Sequence, residues 1–506
     1  MSSQYSTVIG LIFVFNLIIG PGSLTLPGVV QETGWLLSSL FIAILAFFSY
    51  ITFSFIIEAI TITNSITQLR KLQMMKSVTR ILKSHKDMMP QVSSVNYDRI
   101  SNASTDSYNS ENELPIFDNS VLPTSSMQRS LMDFPPESVE LLSLDNRIEL
   151  GEMVTVLLPP FAKVIFFFSI SGYLFGDLAI YYKAIGQSLV DFTCDHKLNN
   201  NSANKSDLCW DNFSYTKHEI YLSYLMLYIF IIGPFTFFNA QKTKYLQVVS
   251  FFMRIIAFIT MIVLATMRLM SPTQKHGSPP AANFIAIPQL IGASIYAFMC
   301  HHSIPSVITP IKNKNKILLK VAANFLLVYT LLMCLCMTGI FAFPRVNELY
   351  TINFTPSQDT GFFYRLIDSI LVLFPVLTIS ISFPVIAITL RNNIQVMFLP
   401  SDAHWIWKRI VVPLFSLITP VLLAAFVARL EVLVSIVAVY AGTGIQYATP
   451  ALLVMAARAE IPQQVAAIKN DYCSPFKSKY WPLCILIWAV ICVIILTISL
   501  ISKEFQ

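Results

Sequence analysis

The chain has 506 residues and a formal net charge of +6. Hydrophobic residues make up 55% of it and charged residues only 12%, whereas a soluble domain carries about 25% charged residues. The mean hydropathy is +0.63. A soluble fold is excluded, because too few polar side chains exist to cover it. The composition indicates a polytopic membrane protein whose partner is the lipid bilayer, and we expect no nucleic-acid partner.

Eleven apolar stretches are long enough to cross a bilayer core, which takes about 20 helical residues. The first stretch lacks the small-residue cleavage site of a signal peptide, so we interpret it as a retained helix. We number the predicted spans 1 to 11 in chain order, and they cover residues 7–30, 35–60, 153–186, 219–238, 245–268, 286–309, 318–343, 363–390, 409–428, 431–456 and 481–502.

The distribution of Lys and Arg predicts the orientation of the spans. If the N-terminus is cytosolic, the short cytosolic loops carry 13 basic residues, against about nine in the opposite loops and tail. We therefore predict a cytosolic N-terminus and a luminal or extracellular C-terminus, in an endolysosomal or plasma membrane.

The loop between spans 3 and 4, residues 187–218, has the features of a luminal or extracellular segment. It contains Cys194 and Cys209, which an oxidising compartment allows to form a disulfide; two free thiols are the alternative. A sequon at Asn102 falls on the cytosolic side and is expected to be silent. Predicted glycosylation sites lie on the outer side, at Asn200, Asn204, Asn212 and Asn353.

Residues 61–150 differ from the rest of the chain. They are rich in Ser, Asn, Asp and Met, which predicts a mobile cytosolic loop between spans 2 and 3. Its basic beginning, residues 68–86, is a candidate for a helix on the membrane surface. Two motifs, from Tyr97 to Ile100 and from Glu137 to Leu142, resemble sorting signals for adaptor proteins and favour an endolysosomal address. The predicted domains are residues 1–60, 61–150 and 151–506.

Span 1 is interrupted near its centre by a Gly-Pro-Gly segment, residues 20–22. Proline removes a backbone donor and glycine permits unusual dihedral angles, so we expect the helix to break there. Breaks of this kind expose backbone groups that bind ions and substrates in transporters. A simple kink is the alternative, but the polar Asn16, Ser23 and Thr25 beside the break favour a binding site.

Span 6 carries a second interruption, where His301 and His302 stand side by side, followed by Ser303 and Pro305. Polar residues inside an apolar span are costly unless they line a cavity or find partners. A structural histidine is the alternative, although the cluster favours a site. Because the two interruptions stand five spans apart, we predict an all-α fold in which spans 1–5 and 6–10 form inverted repeats and span 11 is an addition.

Polar and small residues also occur in spans 8 and 10. Thr378 and Ser382 share a helical face in span 8, and their hydroxyls either ligate a cation such as Na⁺ or bond back to the helix. Span 10 contains the small residues 441–444 and then Pro450, for which close packing or a hinge is the favoured interpretation.

Two charged residues lie well inside predicted spans, Asp177 in span 3 and Arg254 in span 5. Each needs a partner or a water-filled site, and the two could pair with each other. Asp177 is also a candidate proton acceptor. The sequence contains no P-loop, HEXXH or GxSxG motif, so we expect neither an ATP-driven pump nor an enzyme, and no cofactor beyond a coupling ion.

The order and spacing of these motifs resemble the amino acid/auxin permease family over all eleven spans. The resemblance lies in Asn16, Gly20, Gly22, Leu24 and Pro27 of span 1, residues 176–178 of span 3, Phe298, Cys300 and His301 of span 6, and residues 441–443 with Pro450 of span 10. Within this family, segments 233–238, 241–247 and 389–393 are similar to the transmembrane protein 104 subgroup.

The resemblance implies eleven helices on a broken-helix core and coupling to Na⁺ or H⁺. It implies that Asn16 and Thr378 bind Na⁺, and Ser382 is a further candidate ligand. The chain departs from the family pattern at Pro21, at His302 and in the Thr-x-Ser-x-Ser order of span 8. The candidates for substrate binding and for the pathway are Gly20, Gly22, Ser23, Tyr296 and His301, and the candidates for proton coupling are Asp177 and His301.

These observations predict a secondary active transporter of small or neutral amino acids that works by alternating access. The main alternative is an amino-acid sensor on an endolysosomal membrane that signals through residues 61–150 without transporting. A scaffold without any ligand is the second alternative.

Overall fold

The computed structural model describes residues 4–87, 142–194, 208–210, 213–237, 244–354, 362–400, 404–427, 429–462, 465 and 467–504. Ten helices in this part of the chain are long and apolar enough to cross a membrane, and one bent pair of shorter helices adds an eleventh span. The predicted all-α polytopic fold is thereby confirmed. The strands among the described residues are β1 (Leu208–Trp210) and β2 (Phe213–Thr216), an antiparallel pair with Leu208 opposite Thr216.

The helices follow the predicted order. The first three spans are span 1, with half 1a (Thr7–Ile18) and half 1b (Pro21–Thr33), span 2 (Trp35–Asp87) and span 3 (Pro160–Thr193). Spans 4 to 7 are Lys217–Ile232, Lys244–Met270, the pair of half 6a (Ile287–Ala297) and half 6b (Ile304–Ile308), and Ile317–Ala342. Spans 8, 9 and 11 are Phe362–Phe398, Trp407–Phe426 and Tyr480–Glu504, and span 10 consists of Leu430–Ile436 and Thr449–Glu460 with two π-helical segments between them, Val437–Gly442 and Gly444–Ala448.

Span 2 is longer than predicted. The sequence predicted an end near residue 60, but the helix continues to Asp87, so residues 61–87 are not loop. Residues 68–86, predicted as a separate surface helix, are the end of this same helix. The physical reason is the absence of Pro and Gly from residues 61–87, because polar residues alone do not stop a helix.

The remainder of the predicted mobile loop lies mostly outside the described residues. This holds for the motif from Tyr97 to Ile100 and for all of the second motif except Leu142, so adaptor binding stays a prediction. By internal contacts, the described residues of Asn64–Ser143 and Pro462–Ile468 belong to one compact unit, and the rest of the described chain forms another.

Span 3 begins later than predicted. A short helix, Leu150–Leu157, precedes it and starts with a capping box between Glu149 and Glu152. Pro159 and Pro160 then separate the two helices, since proline cannot donate to the preceding turn but fits the first turn of a new helix. The predicted start at residue 153 is therefore wrong.

The C-terminal end of span 3 carries the predicted disulfide. Cys194 caps the helix and bonds Cys209 of β1 across a separation of 15 residues, and both are buried. Asn353 lies in a 3-10 turn, where it accepts a hydrogen bond from the Asn347 amide at 2.9 Å and donates to the Arg345 carbonyl at 3.0 Å. The sequons at Asn200, Asn204 and Asn212 lie outside the described residues.

The two broken spans pack against each other in opposite directions. Half 1b contacts half 6a, and half 1a contacts half 6b. The halves of span 1 meet at an angle of 49°, and span 6 is non-helical at residues 298–300 before a 3-10 turn, His301–Ser303. An inverted repeat requires this antiparallel pairing of spans 1 and 6, with their breaks close together.

An ion pair joins span 2 to span 10. The Arg458 Nε and Nη2 atoms each lie 2.8 Å from an oxygen of Glu58. The same guanidinium donates to the carbonyls of Phe476 and Lys477, each at 3.2 Å. Glu58 also accepts a hydrogen bond from the backbone amide of Ser474 at 3.0 Å. Both charges therefore have a complete set of partners.

Candidate functional site

The break in span 1 is built by Gly20 and Pro21. Gly20 is extended, with φ −113° and ψ −160°, and Pro21 is the first residue of half 1b. Gly22, one residue further, packs against span 6 so closely that a Cβ atom would collide with the Tyr296 ring and lie 3.2 Å from the Ala297 nitrogen. A Cβ on Gly20 would meet nothing within 4 Å. Of the two predicted glycines, packing requires Gly22 only.

A cavity of about 70 Å³ lies beside this break. Half 1a, spans 3, 5 and 8, and the broken part of span 6 form its walls, with Gly20 and Pro21 at one edge. A single water needs about 10–15 Å³ when volume is counted as the space open to the centre of a water molecule, so this cavity holds a few waters or a small solute. The polar residues that line it include Asn16, Asp177, Gln247, Tyr296, His302 and Ser382.

Asp177 is the acidic group of this cavity. Asp177 is only 4% exposed, and its Oδ1 accepts a hydrogen bond from the Tyr296 hydroxyl. It forms no ion pair with any residue that the structure describes. A buried carboxylate without a cation is costly, so a proton or a cationic group of a ligand is needed to neutralise it.

Asn16 also lines this cavity, and its side chain has an unused hydrogen-bond acceptor. Its Nδ2 donates to the Gln247 carbonyl at 2.6 Å and to Gln247 Oε1 at 3.1 Å. Its Oδ1 is buried and has no hydrogen-bond partner within the described part of the chain. Unpaired buried acceptors are uncommon, and this one would accept a hydrogen bond from a water or a ligand.

Arg254 lies on the other side of the break. It is 3% exposed and does not pair with Asp177, which was one of the sequence-based alternatives. Its Nη1 donates to the carbonyl of Asn16 at 2.5 Å and to the carbonyl of Ile19. Together with Gly20, Ser23 and Thr378 it lines a second, smaller cavity.

The structure does not bring the three predicted Na⁺ ligands together. Asn16 and Ser382 line the larger cavity, whereas Thr378 lines the smaller one next to Arg254. The Thr378 hydroxyl donates back to the Phe374 carbonyl at 2.9 Å, which was the alternative given for span 8. A guanidinium already bonds the carbonyls at the break, so these residues do not fit a Na⁺ ion. The described residues also contain no cluster of three or more His, Cys, Asp or Glu suited to a metal.

His301 does not line either cavity, contrary to the prediction. It is fully buried, and its Nε2 lies 2.8 Å from the Thr52 hydroxyl and 3.2 Å from the Ser49 carbonyl of span 2. His302 lines the larger cavity instead. In this turn the side chain of His301 points toward span 2, whereas that of His302 faces the cavity. His301 is the structural histidine that the sequence left as the alternative.

The remaining predicted residues lie close to the break. Ser23 donates to the Gly20 carbonyl at 2.6 Å and faces the smaller cavity. In span 10, a Cβ on Gly442 would come within 3.1 Å of Met299 Cε, and one on Gly444 within 3.1 Å of Ser169 Oγ. These contacts agree with the packing interpretation of residues 441–444.

The lining residues that the sequence did not identify include Tyr173, Tyr181 and Gln247. Tyr173 and Tyr181 flank Asp177 at four-residue spacing, so one face of span 3 presents all three to the cavity. That spacing is readable in the sequence and is the signal that was missed. Gln247 stands near the start of span 5, where a polar residue does not draw attention as a site.

The chain is similar in sequence to known proteins over most of its length. Residues 139–502 match the family described as transmembrane amino acid transporter protein. The chain is 36% identical to the transmembrane protein 104 homolog of Drosophila melanogaster, over 98% of this chain and 97% of that protein. It is also 36% identical to transmembrane protein 104 of Mus musculus, over 99% and 98%, and of Homo sapiens, over 99% and 97%. The chain therefore belongs to the transmembrane amino acid transporter family and is similar over nearly its whole length to transmembrane protein 104.

Proposed function

We propose that this protein is a secondary active transporter of small neutral amino acids that couples transport to protons. The observation that carries the proposal is Asp177, a buried carboxylate without a cationic partner among the described residues, facing a cavity at the break of a membrane helix. The family supports transport of amino acids as the class of activity.

An α-amino acid matches the charges around this cavity. Half 1b begins at the cavity edge with Pro21, and the N-terminal end of a helix attracts a carboxylate through its dipole. Asp177, on the wall formed by span 3, attracts the α-ammonium group when its carboxyl group has released its proton. The unpaired Oδ1 of Asn16 is a second acceptor for that group. The small volume favours substrates with short side chains.

For a transporter that works by alternating access, the position of the cavity along the spans indicates which side of the membrane it faces. Its walls come from the half of span 1 nearer the N-terminus and from the second half of span 8, from Ser382 to Thr389. In the orientation that the basic residues predict, this end faces the cytosol. The proposed conformation is therefore inward-facing, in a multi-pass protein of the endolysosomal or plasma membrane with a cytosolic N-terminus.

Proton coupling is assigned to Asp177. A proton on its carboxyl group removes a charge that the low-dielectric interior disfavours, and the Tyr296 hydroxyl holds the group in place. A carboxyl that gains its proton from one side of the membrane and loses it on the other gives a pH-driven carrier.

The test is uptake of labelled amino acids into proteoliposomes under an imposed pH gradient. Asp177→Asn keeps the shape and the hydrogen bond from Tyr296 but cannot carry a proton, so we expect it to abolish gradient-driven uptake. Asp368→Asn is the matched control, because Asp368 is half-buried in span 8 and lines neither cavity.

Equal uptake by wild type and Asp177→Asn would refute the proposed coupling. If no amino acid is transported, but one raises the thermal midpoint of the wild type and not that of Asp177→Asn, the sensor alternative replaces the transporter.

A further inference from the structure

The break in span 1 redirects two particular backbone hydrogen bonds. In a continuous helix the Asn16 carbonyl would accept from the amide of residue 20, and the Ile19 carbonyl from the amide of residue 23. Here the Gly20 amide donates to Ile18 at 3.1 Å, and the Ser23 amide donates to Gly20 at 3.2 Å. The carbonyls of Asn16 and Ile19 thus lose their helical partners.

Arg254 bonds these two carbonyls. One nitrogen of its guanidinium, Nη1, donates to both, with 2.5 Å to Asn16 and a close contact to Ile19. Two carbonyl oxygens at the C-terminal end of a half-helix form an environment that favours a cation, because the helix dipole is negative there. The guanidinium is the cation that this environment holds.

The surroundings of Arg254 contain no competing anion within the described residues. The small cavity around it is lined by Ser23 and Thr378 and by apolar residues of half 1b and span 8, such as Leu24 and Phe374. Asp177 bonds Tyr296 instead. The charge of Arg254 is therefore stabilised by backbone carbonyls, and it persists because a guanidinium does not lose its proton in proteins.

We propose that Arg254 is a tethered cation that permanently fills the place of a Na⁺ ion at the break of span 1, so that the protein needs no Na⁺. The inference concerns the coupling ion of the proposed transporter, and its structural part does not depend on transport. Span 5 supplies the cation as a side chain, and a freely diffusing ion has no free carbonyls to bind at this position.

The experiment measures the thermal midpoint of the purified full-length protein at equal ionic strength in sodium, choline or dilute guanidinium chloride. We expect the thermal midpoint of the wild type to be the same in sodium chloride as in choline chloride. Arg254→Ala should lower the midpoint by several degrees, and a small cation, guanidinium or sodium, should restore part of that loss. Arg254→Lys keeps a positive charge, so sodium should not change the thermal midpoint of this variant.

Arg268→Ala is the matched control. Arg268 also lies on span 5 and donates to a backbone carbonyl, that of Ala342, at 2.9 Å, but it is remote from the break. Small cations should not restore the midpoint of this variant.

Two results would overturn the proposal: a midpoint of the wild type that rises with sodium over choline, or a folded Arg254→Ala that responds to neither cation. If Arg254→Ala does not fold, the test rests on the thermal midpoints of the wild type and of Arg254→Lys. A rise of either midpoint in sodium over choline would then overturn the proposal. These readouts are independent of uptake, so an absence of transport would count against the proposed function and not against the tethered cation.

Discussion

Two pairs of opposite charges lie inside this helical bundle, and they differ in whether the members meet. Glu58 and Arg458 form two hydrogen bonds of 2.8 Å with each other. Asp177 and Arg254 are equally enclosed, at 4% and 3% exposure, but each is bonded by neutral groups and neither contacts the other. A charge that is already paired has little to offer a ligand. Asp177, whose carboxylate has no cationic partner among the described residues, can bind a proton or a cationic group, whereas the charge of Arg254 is stabilised by backbone carbonyls.

The difference follows from where the helices run. Glu58 and Arg458 extend from spans 2 and 10, near a loop whose backbone supplies their remaining partners. Asp177 and Arg254 lie on either side of the break in span 1, with Gly20 and Pro21 lining both adjoining cavities. The broken helix therefore keeps the two charges in separate environments. The surroundings of Asp177 suit a proton or an ammonium group, whereas those of Arg254 consist of backbone carbonyls that suit a cation.

The largest expected effect comes from breaking the paired charges. Glu58→Ala leaves Arg458 without its carboxylate, and since Arg458 is only 23% exposed on its side chain, we expect a loss of about 3 kcal/mol in stability. The thermal midpoint of the purified protein measures this loss. Asp177→Asn, which breaks no ion pair, should leave the midpoint nearly unchanged. A stability loss for Asp177→Asn as large as that for Glu58→Ala would contradict the distinction between the two pairs.

The second effect tests the contact that positions the partner of Asp177. Gly22→Ala places a methyl group against the Tyr296 ring, and we expect it to lower stability by about 1–3 kcal/mol and to reduce uptake. Gly20→Ala is the matched control, because a Cβ there meets nothing within 4 Å. The thermal midpoint and the uptake rate are measured for both variants and compared. If the two substitutions behave alike, the close approach of half 1b to span 6 does not matter.

The smallest effect concerns the hydroxyl that bonds the unpaired carboxylate. Tyr296→Phe removes one hydrogen bond to Asp177, worth about 1 kcal/mol, which corresponds to roughly a fivefold loss in uptake rate. Tyr228→Phe is the control, since its buried hydroxyl bonds Ser380 at 3.1 Å away from either cavity. Initial rates under a fixed pH gradient provide the measurement, and an unchanged rate for Tyr296→Phe would remove this hydroxyl from the site.

The fold was largely readable from the sequence because a bilayer leaves few choices. Runs of about 20 apolar residues must be helices, and the Gly-Pro segment in span 1 and the histidine cluster in span 6 marked both breaks. The disulfide between Cys194 and Cys209 was expected from their position in one loop that is predicted to lie outside, and the bond is confirmed. The end of span 2 was misplaced because polarity alone was taken to end a helix, although it contains no residue that breaks one.

The site was less predictable because it depends on which way side chains turn. Adjacent histidines cannot be told apart in a sequence, and the structure buries His301 against span 2 while His302 faces the cavity. The helical period correctly placed Thr378 and Ser382 on one side of span 8 but could not show that they adjoin different cavities. The role of Arg254 was hidden because its partners are backbone carbonyls, which no residue pattern reports.

The guanidinium of Arg254 also has an electrical consequence. A unit charge that crosses the whole membrane potential changes in energy by about 2.3 kcal/mol per 100 mV. Arg254 is covalently part of span 5 and hydrogen-bonded to the end of half 1a. Any rocking of these helices within the membrane therefore moves charge, even when no amino acid is bound. Voltage steps applied to the empty protein should produce a transient displacement current, whose size reports how far this residue travels through the field.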